Sequence, residues 1–541
     1  MHRFKVWAPN KNRVDLMSDE RQTPMARLER GWWEASDAAA GPGTRYGFSI
    51  EGAQTRPDPR SASQPDGVLG LSQVVDHDLH PWTDSGWRGL SLPGLVLYEL
   101  HVGTFSPEGT FDGVINRLPH LGELGIDALE LMPVAEFSGN RGWGYDGADF
   151  FAPHHAYGGP AGLKRLIEAC HAAGLGVILD VVYNHAGPVG NFLGEFGPYF
   201  TGRYRTTWGA TFNFDGAGSD EVRRFVVDNA LMWIRDYHID GLRLDAVHAI
   251  VDQSPLHILE QLAAEVDALS AALHRSVLLI AETDANDPRL VRNRDAGGYG
   301  LDAAWADDWH HALHVALTGE RTGYYEDFGA PELLGKALRQ AWVYDGVWSP
   351  HRQKTRGRNP IGVPPERFVV AAQNHDQVGN RAAGERLAAM VDEGRLKAAA
   401  ALLLTTPFTP LLFQGEEWAA STPFQYFTDH ADPGLGKAVA EGRRREFAAF
   451  GWNPAQVPDP QDPGTFERSR LDWDEVNEPY HRGMLKWYRD LIALRRRLPA
   501  VAQGVWVQVE GDRIAFERES AGVRVNLGPP GRTVVEIVER A

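Results

Sequence analysis

Apolar positions in the first 88 residues alternate over short runs at 4–7, 13–17 and 46–50, which Gly, Pro, Asn and Asp clusters separate. A period of two predicts half-buried strands, and the Pro/Ser-rich stretch 58–65 predicts a loop. A small β-sandwich fits residues 1–88. From about residue 91 the pattern becomes short apolar runs alternating with helical-period stretches, which predicts parallel strands joined by crossover helices. Eight strand-like runs stand at 95–102, 126–133, 176–182, 241–247, 277–283, 301–306, 367–374 and 409–414. Between them, residues 161–173 place Leu163, Leu166, Ile167 and Cys170 at i, i+3, i+4 and i+7, with Gly174 as a stop. Residues 220–237 place Val222, Phe225, Val226 and Trp233 on one face, with Ser219 as the expected N-cap. Eight such units imply an α/β fold, a (β/α)8 TIM barrel over 89–498 with loop insertions. A Pro/Asp-rich loop at 456–464 precedes a basic amphipathic helix at 476–497, and 499–541 alternates again as a short C-terminal β domain.

Composition narrows the partners. The chain of 541 residues carries 72 acidic and 54 basic residues, a formal charge of −18, which argues against nucleic-acid binding. One cysteine, Cys170, excludes an internal disulfide framework and a thiolate metal cluster, and its helical position reads as core. No uninterrupted apolar segment reaches a membrane-spanning length of about 18 residues. No apolar leader with a cleavage site follows Met1, so a cytoplasmic protein is the expectation. Oligomeric state is not legible.

The chemistry should sit at the C-terminal ends of the barrel strands, where such barrels gather their reactive side chains. Four predicted strands end in charge: Asp180 to His185, Gly241 to His248, Ile280-Ala281-Glu282-Thr283 and Gln373 to Gln377. Each begins with residues suited to a dry core and finishes with carboxylates, amides or imidazoles. Arg243 and Asp245 project to the same side of their strand, so the guanidinium favours the ionised carboxylate. Glu282 follows an apolar run and neighbours a carboxylate, which should raise its pKa and suit a general acid. Two carboxyls pushed apart in this way are the equipment for cleaving a glycosidic bond.

These strand ends resemble, in order, the conserved regions of the α-amylase superfamily (glycoside hydrolase family 13). The resemblance implies Asp245 as nucleophile, Glu282 as general acid/base and Asp376 as a transition-state partner. It implies Arg243, His185 and His375 as their supports, and Tyr145 of Gly144-Tyr145-Asp146 as a ring stacked on the sugar at the cleavage point. The stretches 98–105, 141–147, 307–311, 413–418 and 424–430 are similar in particular to a trehalose-releasing branch of that superfamily. That likeness implies a retaining hydrolase, without a cofactor, acting on maltooligosyl trehalose and related α-glucans. It extends the substrate contacts to Asp146, Leu244, Ala246, Val247 and His248, then Asp307, Asp308, Trp309, His310 and His311, then Gln377, Val378, Gly379 and Asn380. Among these, Trp309, His248 and Asp308 are the expected readers of the trehalose linkage. A branching or debranching enzyme of the same superfamily is the alternative, and a silent glucan-binding scaffold a further one.

Three other motifs point elsewhere. Gly142 to Gly147 satisfies G-x-G-x-x-G, but a polar loop precedes it and an aromatic, His-rich stretch follows, against a dinucleotide site. His310 and His314 have the spacing of a helical zinc pair but lack its glutamate, and the adjacent His154-His155 pair is read as orienting a loop or touching substrate, so no metal is expected. The runs Arg443-Arg444-Arg445 and Arg495-Arg496-Arg497 read as solvated faces or ion-pair partners.

Overall fold

The computed structural model describes residues 2–539 apart from Glu20, 449–455, Gln503 and Ser520. All eight predicted runs pair as parallel strands: β1 (Leu97–Leu100), β2 (Ala128–Leu131), β3 (Gly176–Val181), β4 (Gly241–Leu244), β5 (Leu278–Ala281), β6 (Ala303–Trp305), β7 (Phe368–Ala371) and β8 (Thr409–Phe413). β8 pairs back onto β1, with Leu411 opposite Leu97 and Phe413 opposite Glu99, so the barrel is closed. The strands are shorter than the apolar runs. The run at 241–247 leaves the sheet after Leu244 because Ala246 takes a left-handed φ of 42° and starts a tight turn at Val247–Ala249.

Alternation along the strands creates two environments. Leu97, Ala128, Ile178, Leu278, Ile280, Ala303, Trp305, Val369 and Leu411 pack together inside the barrel. Leu179, Val181, Leu242, Leu244 and Leu279 join the large core shared with the helices. One step further along, the inward positions change character. Glu99 stands opposite Glu130 on β1 and β2, and Asp180 opposite Arg243 on β3 and β4. The apolar barrel floor thus carries a buried ionic layer on top.

The helices follow their periodicity. In the helix Gly159–Ala172, Leu163, Leu166, Ile167 and Cys170 are all fully buried, and burial pushes the Cys170 thiol well above its ordinary range. The helix Ser219–Asp236 buries Val222, Phe225, Val226 and Trp233. Its N-cap differs from the expectation. Ser219 is already helical, and Gly218 at φ 81° occupies the cap, with Asp220 and Glu221 supplying negative charge to the first turn. The last long helix, Pro479–Arg497, follows a short turn at Trp473–Asn477. Its Arg495 donates to the carbonyls of Leu404, Thr406 and Phe408, closing the end of the helix Glu393–Thr405.

Antiparallel sheets flank the barrel in sequence. The N-terminal ones are three-stranded (His2–Trp7, Ala26–Arg27 and Trp32–Asp37) and four-stranded (Val14–Ser18, Arg21–Pro24, Arg45–Ile50 and Ser72–Gln73). They meet a barrel loop where Trp7 packs on Tyr199 and Arg56 covers Phe192 at 4.2 Å. After the barrel, Trp506–Glu510, Arg513–Arg518, Ala521–Asn526 and Val534–Glu539 form a four-stranded sheet. Arg518 reaches from it to the Thr406 carbonyl, beside Arg495. Among the described residues, no helix is long and apolar enough to cross a membrane.

Trp309 lies in the core with 0% of its surface exposed. Trp309→Ala should lower stability by about 3–5 kcal/mol in urea unfolding. An unchanged midpoint would show that this part of the core is packed differently.

Candidate active site

The site grows from Arg243, the inward residue of β4 with 2% of its side chain exposed. Its Nη1 donates to Asp180 Oδ2 at 2.7 Å and to Asp245 Oδ1 at 2.9 Å, and its Nη2 lies 3.7 Å from Glu282 Oε2. The guanidinium rests on the Trp305 ring at 4.4 Å, so one cation serves three carboxyls across β3, β4 and β5 over an aromatic floor. Burial pushes the Asp180 carboxyl up to about 6 even with Arg243 pulling it down. Deeper in the barrel, Glu130 is held well above the carboxylate range by burial and the neighbouring Glu99. Neither of its oxygens has a hydrogen-bond partner among the described residues, which suits a neutral carboxyl.

A second chain of bonds descends from Tyr145. Its hydroxyl donates to Asp180 Oδ2 at 2.6 Å and accepts from His375 Nε2 at 2.8 Å. His375 Nδ1 in turn donates to Glu99 Oε1 at 2.5 Å. Burial disfavours charge on His375, but the Glu99 carboxylate lifts its pKa above the ordinary imidazole range. The Tyr145 ring stacks on His375 at 5.2 Å. Its loop depends on Gly144, at φ 96°, where a Cβ would come 2.1 Å from the Pro133 carbonyl oxygen.

Asp245 is held from the other side by Asn184, whose Nδ2 donates to both its carbonyl at 2.9 Å and its Oδ2 at 2.8 Å. His185 donates from Nε2 to the Tyr145 carbonyl at 3.1 Å. Its ring lies parallel to that of Trp208, an exposed residue between the strands Phe200–Thr206 and Gly209–Phe212. Glu282 follows β5 and accepts the Ala246 N–H at 2.6 Å. Burial holds its pKa well above the ordinary range. Arg243 opposes this, while Asp245, Asp307 and Asp376 add to it. Asp307 is itself pushed up to about 7 by burial and the carboxylates of Asp376, Asp284 and Asp308. Asp376 is exposed, on the short helix His375–Gly379, and accepts from Asn380 Nδ2 at 2.5 Å.

Asp245, Glu282, Asp376, Tyr145, His185, Arg243, Asp307, His375 and Asn380 therefore surround one mouth. Asp146 is partly exposed beside it, 3.9 Å from His430, and His248 is exposed near Asp284. Ala246 contributes its N–H, and Gln377 is buried with its own N–H accepted by Asn374. Gly379 lies against Trp143, which a Cβ would meet at 2.1 Å.

Other expected contacts face elsewhere. The side chains of Leu244, Val247 and Trp309 belong to the main core, and Val378 packs with Trp143 and Phe424. Asp308 is consumed by Asn286 Nδ2 and the N–H groups of Val343 and Tyr344, all at 2.7 Å, so it pins a loop. His310 donates to the Ala372 carbonyl and accepts from the Tyr325 hydroxyl, leaving no ring nitrogen for a ligand. His311 is buried against Tyr324 and Phe328. Two basic residues were misjudged in the opposite sense. Arg443 donates to Asn380 Oδ1 at 2.7 Å and to the Gly379 carbonyl at 2.8 Å, bracing the helix that bears Asp376, and Arg495 is fully buried in its capping role. Glu99, Trp305 and Trp208 were not singled out for a role in the site, and Asp180 and Asn184 stood only within the charged strand end Asp180 to His185. The signal for Glu99 and Asp180 was a lone acid inside an otherwise apolar strand.

Residues 59–196 match the family model for the alpha amylase catalytic domain. The chain is 53% identical over 535 residues to malto-oligosyltrehalose trehalohydrolase of Arthrobacter ramosus, covering 97% of this chain and 93% of that one. It is 44% identical to malto-oligosyltrehalose trehalohydrolase of Saccharolobus solfataricus, covering 94% and 89%. Among solved structures, a pullulanase of Paenibacillus barengoltzii complexed with maltotriose superposes with a TM-score of 0.72 at 20% identity, covering 97% and 87%. That likeness shows the fold.

Replacing Arg243 by Leu strands Asp180, Asp245 and Glu282 without their cation. A carboxyl whose folded pKa lies above its unfolded value weakens the fold at higher pH, and the penalty fades as pH falls through the folded value. Arg243→Leu should therefore lose about 3–5 kcal/mol at pH 8 and less at pH 5 in urea unfolding. Equal losses at both pH values would contradict this account of the ionic layer.

Proposed function

The chain belongs to the malto-oligosyltrehalose trehalohydrolases, and from that premise we propose which of its side chains carry the reaction. The enzyme is a glycoside hydrolase. It cleaves the α-1,4-glucosidic bond adjacent to the terminal α,α-trehalose of maltooligosyl trehalose, releasing trehalose and a maltooligosaccharide. The observation that carries the assignment is the pair of carboxyls on one guanidinium in opposed settings. Asp245 receives hydrogen bonds from Arg243 and Asn184, whereas Glu282 is kept above the carboxylate range by burial.

In our reading Asp245 attacks the anomeric carbon of the glucose that precedes the trehalose unit. Glu282, protonated, donates its proton to the leaving oxygen, and trehalose departs. Glu282, now ionised, takes a proton from water, which opens the glycosyl-enzyme with net retention. Asp376, at the rim, holds ring hydroxyls more tightly as the oxocarbenium-like state forms, which lowers the barrier. The face of Tyr145, fixed by Asp180 and His375, supplies the platform for the ring being cut. The trehalose-releasing specificity rests on the relatives named above, and Asp307 and His248 are the groups at the mouth free to meet the leaving disaccharide, Asn380 being held between Asp376 and Arg443.

Separate incubations with maltotriosyl trehalose and maltopentaose test the substrate reading. Free trehalose from the first, with slow cleavage of the second, is expected, and equal attack on both would replace it with a general α-glucan hydrolase. Asp245→Asn and Glu282→Gln should each lower kcat by a factor on the order of 10³ while the far-UV spectrum stays the same. Near-normal kcat in either would remove its assigned role. Because the acid form of Glu282 is the active one, kcat/KM should fall on the alkaline side with a midpoint well above the ordinary carboxylate range. A rate that already declines near pH 4.5 would show that another group supplies the proton.

A further inference from the structure

Away from the carboxyls of the mouth, the strand Ala135–Phe137 pairs with Gly147–Pro153, and the two enclose the loop that carries Tyr145. At the base of this hairpin, Glu136 meets two successive histidines. Its Oε1 lies 2.7 Å from His155 Nδ1 and 3.2 Å from His154 Nδ1. The three donor atoms lie within 4.8 Å of one another.

His154 is the residue that needs explaining. It is 0% exposed, and neither ring nitrogen makes a hydrogen bond among the described residues. Its Nδ1 is close to Glu136 Oε1, but the two do not point at one another as donor and acceptor do. Groups that converge on a common third point have this relation. The ring is also locked in place, stacked on Phe137 at 3.8 Å and 17° and packed against the edge of Tyr157. A buried imidazole held rigid by aromatic contacts, with Nε2 unpartnered and Nδ1 in only a poorly aligned 3.2 Å contact with Glu136, leaves hydrogen-bonding capacity unmet unless a ligand restores it.

The neighbours are oriented for the same purpose. Glu136 Oε2 accepts the His155 backbone N–H at 2.8 Å, which turns Oε1 towards the imidazoles. His155 Nδ1 donates to Glu136 Oε1 at 2.7 Å and its Nε2 is bonded to Asn140 Oδ1 at 3.1 Å, so a metal ion bound through Nδ1 would take the place of the Nδ1 proton while the bond to Asn140 is kept. An outer hydrogen bond that fixes the tautomer of a histidine is the usual support of a metal ligand.

We propose that Glu136, His154 and His155 bind one divalent transition-metal ion, with zinc the best match to two imidazoles and a carboxylate. In a tetrahedral zinc site, bonds of about 2.0–2.1 Å place neighbouring donors about 3.3 Å apart. The His154–Glu136 contact already has that spacing, and His155, with 27% of its side chain exposed, has room to open the shorter one. The fourth position faces the exposed side of His155 and takes water. The ion clamps the base of the hairpin to the turn that follows it, closing the loop from 138 to 153 and steadying Tyr145 from outside the catalytic layer.

The test is metal binding by the full chain after chelator treatment and dialysis, followed by zinc titration against a chromophoric competitor and by cobalt substitution. One zinc per chain should bind, and cobalt should give the visible bands of a tetrahedral nitrogen/oxygen site. His155→Ala and Glu136→Gln should weaken this binding at least about tenfold, and Asn140→Ala should weaken it less. Because Glu136 is buried, its variant tests folding as well as binding, so His155→Ala, altering a partly exposed side chain, carries the decision. Stoichiometric zinc that His155→Ala leaves unchanged would overturn the proposal, as would a wild-type chain that takes up no zinc at all.

Discussion

One buried guanidinium organises the upper half of the barrel. Arg243 has 2% of its side chain exposed and is shared by Asp180, Asp245 and Glu282. Burying an isolated charge costs several kcal/mol or more, and a cation with three carboxyls around it is tolerated because each offsets the desolvation of the others. The arrangement is also unequal. Asp180 and Asp245 receive direct hydrogen bonds, whereas Glu282 sits 3.7 Å away and keeps its raised pKa. The same cation that stabilises the layer thus leaves Glu282, to which it donates no hydrogen bond, disposed to hold a proton.

The second constraint is how the layer is kept in register. Tyr145 comes from a loop and His375 from the short helix after β7, and a single line of bonds, Asp180 to Tyr145 to His375 to Glu99, ties them to β3 and β1. Gly144 is required there because the backbone must pass against Pro133. The Tyr145 ring is therefore fixed by the barrel strands and not by its own loop.

The barrel was legible because each strand is an apolar run between helical-period stretches, and eight runs leave few other topologies. The charged strand ends were legible for the same reason, since a carboxylate at the end of a buried run is visible without coordinates. Individual contacts were not. Leu244 and Val247 adjoin Asp245 in sequence but face the core, because side chains alternate and Ala246 turns the chain at φ 42°. Asp308 and His310 sit among plausible site residues, yet their hydrogen bonds go to Val343, Tyr344, Ala372 and Tyr325, partners that lie far off in sequence or carry no motif. The cap at Gly218 was missed because a serine one residue later fits the usual preference equally well. Arg443 was read as part of a solvated face or an ion pair since nothing in an Arg-Arg-Arg run distinguishes the member that reaches Asn380.

Closure of the barrel by β8 on β1 has a consequence for synthesis. One side of β1 finds β2 soon after it is made, but the other waits for residues 409–413, roughly 300 residues later. At translation rates of about 5–20 residues per second that is roughly 15–60 s with an apolar strand edge unpaired. The caps at Arg495 and Arg518 on the Thr406 carbonyl come later still. The nascent chain must therefore keep an open half-barrel from pairing with its neighbours on a polysome, so crowding during translation, more than the stability of the finished fold, is where heavy expression of this protein should fail first.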